Sequence, residues 1–210
     1  MFDKIRNKLK PGPSTPPPPK RSLTKPEELT VGDFVEFGEA PLPAISGGLF
    51  KVEEANAVDY GDGAEPSFII TRRGITLGFS VDRSDGEAGI VVSRRLKRRE
   101  VESTFDMEAF GSLFGEGYTK DIPVQNIAEE LQPWIDPEGY RESVDCLRSK
   151  FKSGTGKSWE AFEYYELTGI DDDDLTVEIE VYPDDTEVYL CRWFPIALAE
   201  KLWPKKEGES

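Results

Sequence analysis

Leu175-Thr176-Val177-Glu178-Ile179-Glu180-Val181-Tyr182 alternates apolar and polar residues without a break. Successive side chains of a strand point to opposite faces, so this pattern predicts a strand with one apolar face buried and one polar face in water. Pro183-Asp184-Asp185 then interrupts the run, and Thr186 to Phe194 resumes it. Proline and aspartate favour turn conformations, so the pair reads as a hairpin. Upstream, Trp159 to Leu167 is an aromatic-rich run, set off by Gly169 and the four aspartates Asp171 to Asp174. Together these segments predict a three-stranded antiparallel meander that organises the C-terminal half. They indicate a fold and no chemistry.

Working outward, the N-terminal half reads as β-rich. Leu29 to Gly38 enters a first strand, and Leu49 to Val58 forms a second, closed by Tyr60-Gly61-Asp62-Gly63. Ser67 to Arg72, Ile75 to Val81 and Gly89 to Leu96 follow, separated by Arg73-Gly74 and Ser84-Asp85-Gly86. Five short strands at this spacing predict a small antiparallel β-barrel or a strongly curved sheet. After Leu96 the pattern changes. Val101, Phe105, Phe110, Leu113 and Phe114 predict one or two short helices interrupted by Gly111. Val124 to Leu131 predicts another. Tyr140, Val144, Leu147 and Phe151 recur at helical spacing, and Pro195 opens a predicted helix through Trp203.

The expected class is therefore α+β: a small barrel-like N-terminal part, then helices and the meander. The expected parts are residues 1–22, 23–98 and 99–210. The first comprises a short amphipathic segment, Met1 to Lys10, and a linker from Pro11 to Arg21 with four consecutive prolines. Such a linker is extended and semi-rigid.

Composition excludes more than it assigns. The formal net charge is −15 over 210 residues. Unaided nucleic-acid binding draws its affinity from cations that neutralise phosphate, so no nucleic-acid partner is expected. Charge is unevenly placed: residues 1–22 carry six cations against Asp3, a net of +5, which leaves about −20 for the rest. There is no histidine. That removes Ser-His-Asp and Cys-His catalysis and His-ligated metal sites. Cys146 and Cys191 form no CxxC pair and suit a reducing cytoplasm. Apolar runs fall short of a membrane span, and Pro11 onward replaces the apolar core of a secretory signal.

Several motifs resemble sites and fail on context. Gly154-Thr155-Gly156-Lys157-Ser158 ends like a phosphate-binding loop, but Phe151 stands where its first glycine belongs. The loop must also follow a buried strand and open a helix, and here neither holds. Asp171 to Asp174 lack the glycine and late glutamate of a calcium loop, and read as a solvated hairpin loop. Asp59, Asp62 and Glu65 around Gly61 and Gly63 read as an Asx-Gly turn. No metal and no cofactor is expected. Any of the 41 acidic residues can be paired on paper as a catalytic dyad, so none is singled out.

Two clusters remain as candidate binding sites. Arg94, Arg95, Lys97, Arg98 and Arg99 form a dense basic run, a candidate patch for an anion or an acidic partner. The competing reading is a solvated strand end, with Arg94 and Lys97 paired to Glu100 and Glu102. At the start of the chain, Phe2, Ile5 and Leu9 share a helical face, with Lys4 and Lys8 between them. Burying those three gives roughly 1.5–3 kcal/mol each, and ordering a short helix offsets part of it. The remainder matches a single lipid chain, which binds membrane only marginally. These residues are a candidate membrane or partner contact that needs a second anchor.

Val52-Glu53, Val58-Asp59-Tyr60-Gly61-Asp62-Gly63, Phe68 and Gly74-Ile75-Thr76-Leu77 resemble a group of bacterial proteins of similar length. Members begin with a short basic Met-Phe segment and are encoded beside membrane-stress proteins of the phage-shock-protein-A type. The resemblance covers residues 1–95 and carries over no catalytic residue. It implies a cytoplasmic accessory protein near the inner membrane, linked to stress response. The expected function is a non-enzymatic adaptor that binds another protein. The alternative is a small-ligand binder or an enzyme using carboxylates and arginines.

Overall fold

The computed structural model describes residues 21–59, 63–83, 87–115, 121–151 and 159–205. Ten strands form one antiparallel sheet: β1 (Phe34–Phe37), β2 (Leu49–Asp59), β3 (Ala64–Arg72), β4 (Ile75–Asp82), β5 (Gly89–Arg95), β6 (Tyr140–Phe151), β7 (Trp159–Gly169), β8 (Leu175–Val181), β9 (Thr186–Pro195) and β10 (Ala199–Trp203). Their order across the sheet is β10-β1-β2-β3-β4-β5-β9-β8-β7-β6. Two short helices, α1 (Arg98–Thr104) and α2 (Met107–Gly111), lie in the connection from β5 to β6.

This corrects the expected small barrel plus separate meander. The first five strands do not close on one another. β5 pairs with β9 over seven residues, from Gly89↔Pro195 to Arg95↔Tyr189, so the meander β7-β8-β9 continues the N-terminal strands in one large sheet. Pairing at such a sequence separation leaves no local signal, because alternation reports a strand's faces and not its neighbour. The far end of β2 also pairs with β6 through Ala57↔Phe151, Val58↔Lys150 and Asp59↔Ser149. Eight strands, β2 to β9, thereby trace a ring joined by this short seam.

Three predicted helices are likewise corrected. Residues 140–151 form β6, not a helix. Its register against β7 shifts between Glu142 and Val144, and the extra residue breaks the two-residue period and mimics helical spacing. Residues 195–203 contain only a 3-10 turn, Ile196–Leu198, before β10. Leu202 and Lys201 pair with Val35 and Glu36 of β1, so tertiary pairing overrides the helix start offered by Pro195. Ordered 3-10 structure at Glu129–Trp134 replaces the helix predicted for 124–131. The short helices after Leu96 do form, as α1 and α2 with a following 3-10 turn at Ser112–Phe114.

The core lies on one face of the sheet. Phe50, Ile70, Ile90, Val92, Leu167, Val177, Ile179 and Leu190 are fully buried there. Phe37 packs edge-on against Phe50 and Phe79, with ring centroids 5.6 and 5.7 Å apart. Residues from the β5–β6 connection, among them Phe105, Leu131 and Trp134, complete this cluster. Asp136 is fully buried behind them and accepts from the amides of Asp171 and Asp172 at 2.6 and 2.9 Å. The aspartate run at 171–174 is thus a β7–β8 turn held by a buried carboxylate. Arg192 adds an ion pair to Asp172 at 3.5 Å.

The opposite face of β8 is not the water-facing surface its alternation predicts. Glu180 is 5 % exposed and Tyr182 8 %. Both turn toward the inside of the ring, where a second cluster forms from Val58, Phe162, Tyr164 and Tyr182. The β10 edge is short, carries Lys201, and is bulged where Glu36 and Phe37 meet Lys201 and Ala199. Those features discourage further strand addition.

Candidate functional site: a groove walled by α1 and the β8–β9 turn

The basic run lies at the end of β5 and the start of α1. Leu96 donates its amide to the Val188 carbonyl at 2.8 Å, which fixes the strand end against β9. Glu100 reaches back to accept from the Lys97 amide at 2.7 Å, and this local bond starts α1. Asp106 caps α2 by accepting from the amides of Glu108 and Ala109 at 3.1 and 2.9 Å. The two caps place both helices beside the β8–β9 hairpin turn, Tyr182 to Thr186.

Between them lies a groove of about 940 Å³. Leu96, Val101, Phe110 and Val188 are buried at its floor, and Met107 stands above them at 43 % exposure. Arg95, Lys97 and Arg98 form one rim, and Pro183, Asp184 and Asp185 the other. The five basic residues separate into two groups. Arg94 pairs with Glu100 at 2.9 Å and donates to the Glu130 carbonyl at 3.3 Å. Arg95 spans the groove end to Asp185 and Glu187, at 3.3 and 3.0 Å. These two serve the fold.

Lys97, Arg98 and Arg99 are exposed. Arg98 meets Glu102 at 2.7 Å, but its side chain is 91 % exposed and that of Glu102 is 46 %. A pair this open, four residues apart on a helix, contributes about 0.3–0.5 kcal/mol, so an incoming carboxylate exchanges with it readily. Among the described residues, no carboxylate pairs with Lys97 or Arg99. The expected pairing of Arg94 to a glutamate is present, whereas Lys97 contributes only its backbone amide to Glu100.

A second cluster fills the strand ring. The Lys150 ammonium contacts both oxygens of Glu180, at 2.5 and 2.7 Å, and the Tyr182 hydroxyl donates to Glu180 at 2.5 Å. Lys150 also stands 5.8 Å from the ring centroids of Phe162 and Tyr189. Asn56, Ser67, Ser80 and Ser93 face this cluster across a cavity of about 60 Å³. Ligand pockets run to roughly 300–1,000 Å³, so this space suits water rather than an organic ligand. Burial raises the carboxyl of Glu178 to about 7, helped by Glu166 and Glu180 and opposed by Lys150 and the Cys191 thiol. Burial, with Glu178 beside it, also pushes the Cys191 thiol well up, so it carries no thiolate near neutral pH.

Phe2, Ile5, Leu9, Lys4 and Lys8 lie outside the described residues, as do Gly154 to Ser158 and the centre of the Asp59–Gly63 turn. Among the described residues no cluster of three or more acidic or cysteine ligands suits a metal, and no helix is long and apolar enough to cross a membrane. Met107 and the Asp184-Asp185 rim were not legible as site residues. Their placement opposite Lys97 depends on the β5–β9 pairing, which local sequence does not report. In comparisons with protein-family models, curated proteins and solved structures, nothing matched the chain.

Proposed function

We propose that the protein is a non-enzymatic adaptor whose groove receives an amphipathic, acidic segment of another protein. The observation that carries this is the exposed row Lys97-Arg98-Arg99 beside an apolar floor topped by the exposed Met107. The row is basic in a chain whose net charge is −15, so it selects carboxylates by charge. Thioether side chains adapt to varied apolar partners, which suits Met107 to a recognition surface. The groove is wide and open, and its walls are two helix starts and a hairpin turn rather than a closed ligand chamber.

The small-ligand reading is less well supported, because convergent polar groups occur in the ring, where space is limited to about 60 Å³. A location at the cytoplasmic membrane surface rests on residues 1–10 and on the family resemblance, and belongs to the same proposal. Affinity capture with three baits tests it: the full chain, Met107→Glu, and the triple variant Lys97→Glu, Arg98→Glu, Arg99→Glu. A partner retained by the full chain and lost from both variants supports the groove. Partners retained equally by all three baits contradict it.

A further inference from the structure

The ring interior holds a titratable group that the groove does not use. Glu178 sits on β8 between Thr176 and Glu180, opposite Glu166 on β7 and Tyr189 on β9. Cys191 of β9 offers its thiol, Lys150 of β6 its ammonium, and Tyr164 of β7 and Tyr182 after β8 complete the charged and titratable surroundings. Arg95 and Glu187 pair at the rim of the same face. β3 and β4 contribute only uncharged groups to the cavity, among them Ser67, Ile69, Gly78 and Ser80. One ammonium therefore faces three clustered carboxyl groups: Glu166, Glu178 and Glu180.

Lys150 also belongs to the ring's weakest joint. The β2–β6 seam has only three residue pairs, against seven between β5 and β9. Lys150 pairs there with Val58, and its side chain ties the seam to Glu180 on β8. The cavity beside it is large enough for water and lined by hydroxyl groups that would hydrate an ionised carboxylate.

We propose that Glu178 is a proton-binding site that controls closure of the strand ring at the β2–β6 seam. Protonated, it leaves Lys150 to Glu180 alone, and the seam stays closed. Ionised, it adds a negative charge to a buried site that has one cation, and the seam opens to admit water. Glu178 holds its proton to about pH 7 in the closed ring. A hydrated glutamate in an opened ring loses its proton near 4.5. The closed ring therefore binds more protons than the open one across that interval. Closure is strongest below it and weakens as pH rises through neutrality.

Hydrogen exchange tests this on the full chain. Protection factors of the amides at 57–59 and 149–151, corrected for intrinsic exchange, are expected to fall about tenfold between roughly pH 6 and pH 8. Glu178→Gln keeps the neutral shape and is expected to abolish the pH response at the seam. Glu166→Gln removes a neighbouring charge and is expected to move the response to lower pH. A carboxyl titration of Glu178 by NMR gives the midpoint without any variant. Seam protection that does not change with pH overturns the proposal, as does an equal response in Glu178→Gln or an ordinary glutamate midpoint.

Discussion

The amide of Lys205 donates to Asp33 Oδ1 at 2.9 Å, joining the last described residue to the turn that enters β1. Asp33 is fully buried and also accepts from the Thr30 amide at 2.7 Å and from Arg21 at 2.7 Å. Burial acts to raise its carboxyl, but these hydrogen bonds outweigh it and hold the carboxyl below the ordinary aspartate range. Asp33→Asn removes the charge and leaves donors mismatched, and is expected to cost about 3 kcal/mol. Arg21→Ala, at a half-exposed partner, is expected to cost about 1 kcal/mol. Chemical denaturation measures both. Because the folded carboxyl is depressed, its contribution is present above the unfolded value and is lost as pH falls through the acid range. Asp33→Asn should therefore show a shallower acid limb than the parent.

Val177 and Thr176 are adjacent on β8 and face opposite ways. Val177 is fully buried in the main core. Val177→Asp places an unpaired charge there, costs several kcal/mol and is expected to unfold the sheet. Thr176→Asp lies in the half-buried polar ring near Cys191 and Glu178, so it is expected to be destabilising but still folded. Thermal melts of the two variants check this. Equal melting temperatures contradict the assignment of faces.

Gly78 on β4 pairs with Ser93 on β5. A methyl group at Gly78 would lie 2.1 Å from the Ser93 hydroxyl. Gly78→Ala is expected to cost about 1–3 kcal/mol through overpacking. Adding Ser93→Gly, which removes the opposing side chain, is expected to recover part of that loss. A double-mutant cycle reads the coupling, and additive effects would show that the two positions do not touch.

What was legible in the sequence was local. Alternation at 175–181 and the Pro183-Asp184-Asp185 break gave β8, the turn and β9 nearly to the residue. The five early strands were visible for the same reason. The pairing partners were not, because β5 meets β9 about a hundred residues away and nothing in either strand names the other. A bulge beside Ser143 disguised β6 as a helix, and Pro195 offered a helix start that β1 overrode by pairing with β10. Of the candidate sites, the basic run was visible as composition. Its division into Arg94 and Arg95, which brace the fold, and Lys97 to Arg99, which remain exposed, depends on where Glu100, Asp185 and Glu187 lie in space. The polar face of β8 read as a solvent face because alternation alone does not distinguish water from a polar interior.

Site-specific photo-crosslinking from position 107 addresses the groove most directly. A photoreactive residue replaces Met107, whose exposed side chain lies above the floor formed by Val101 and Phe110. The account predicts discrete adducts with another protein, cross-linked through an acidic amphipathic segment, and their loss when Lys97, Arg98 and Arg99 are changed to glutamate. Absence of a protein adduct, or adducts unchanged by those three charge reversals, would contradict the groove as the docking site.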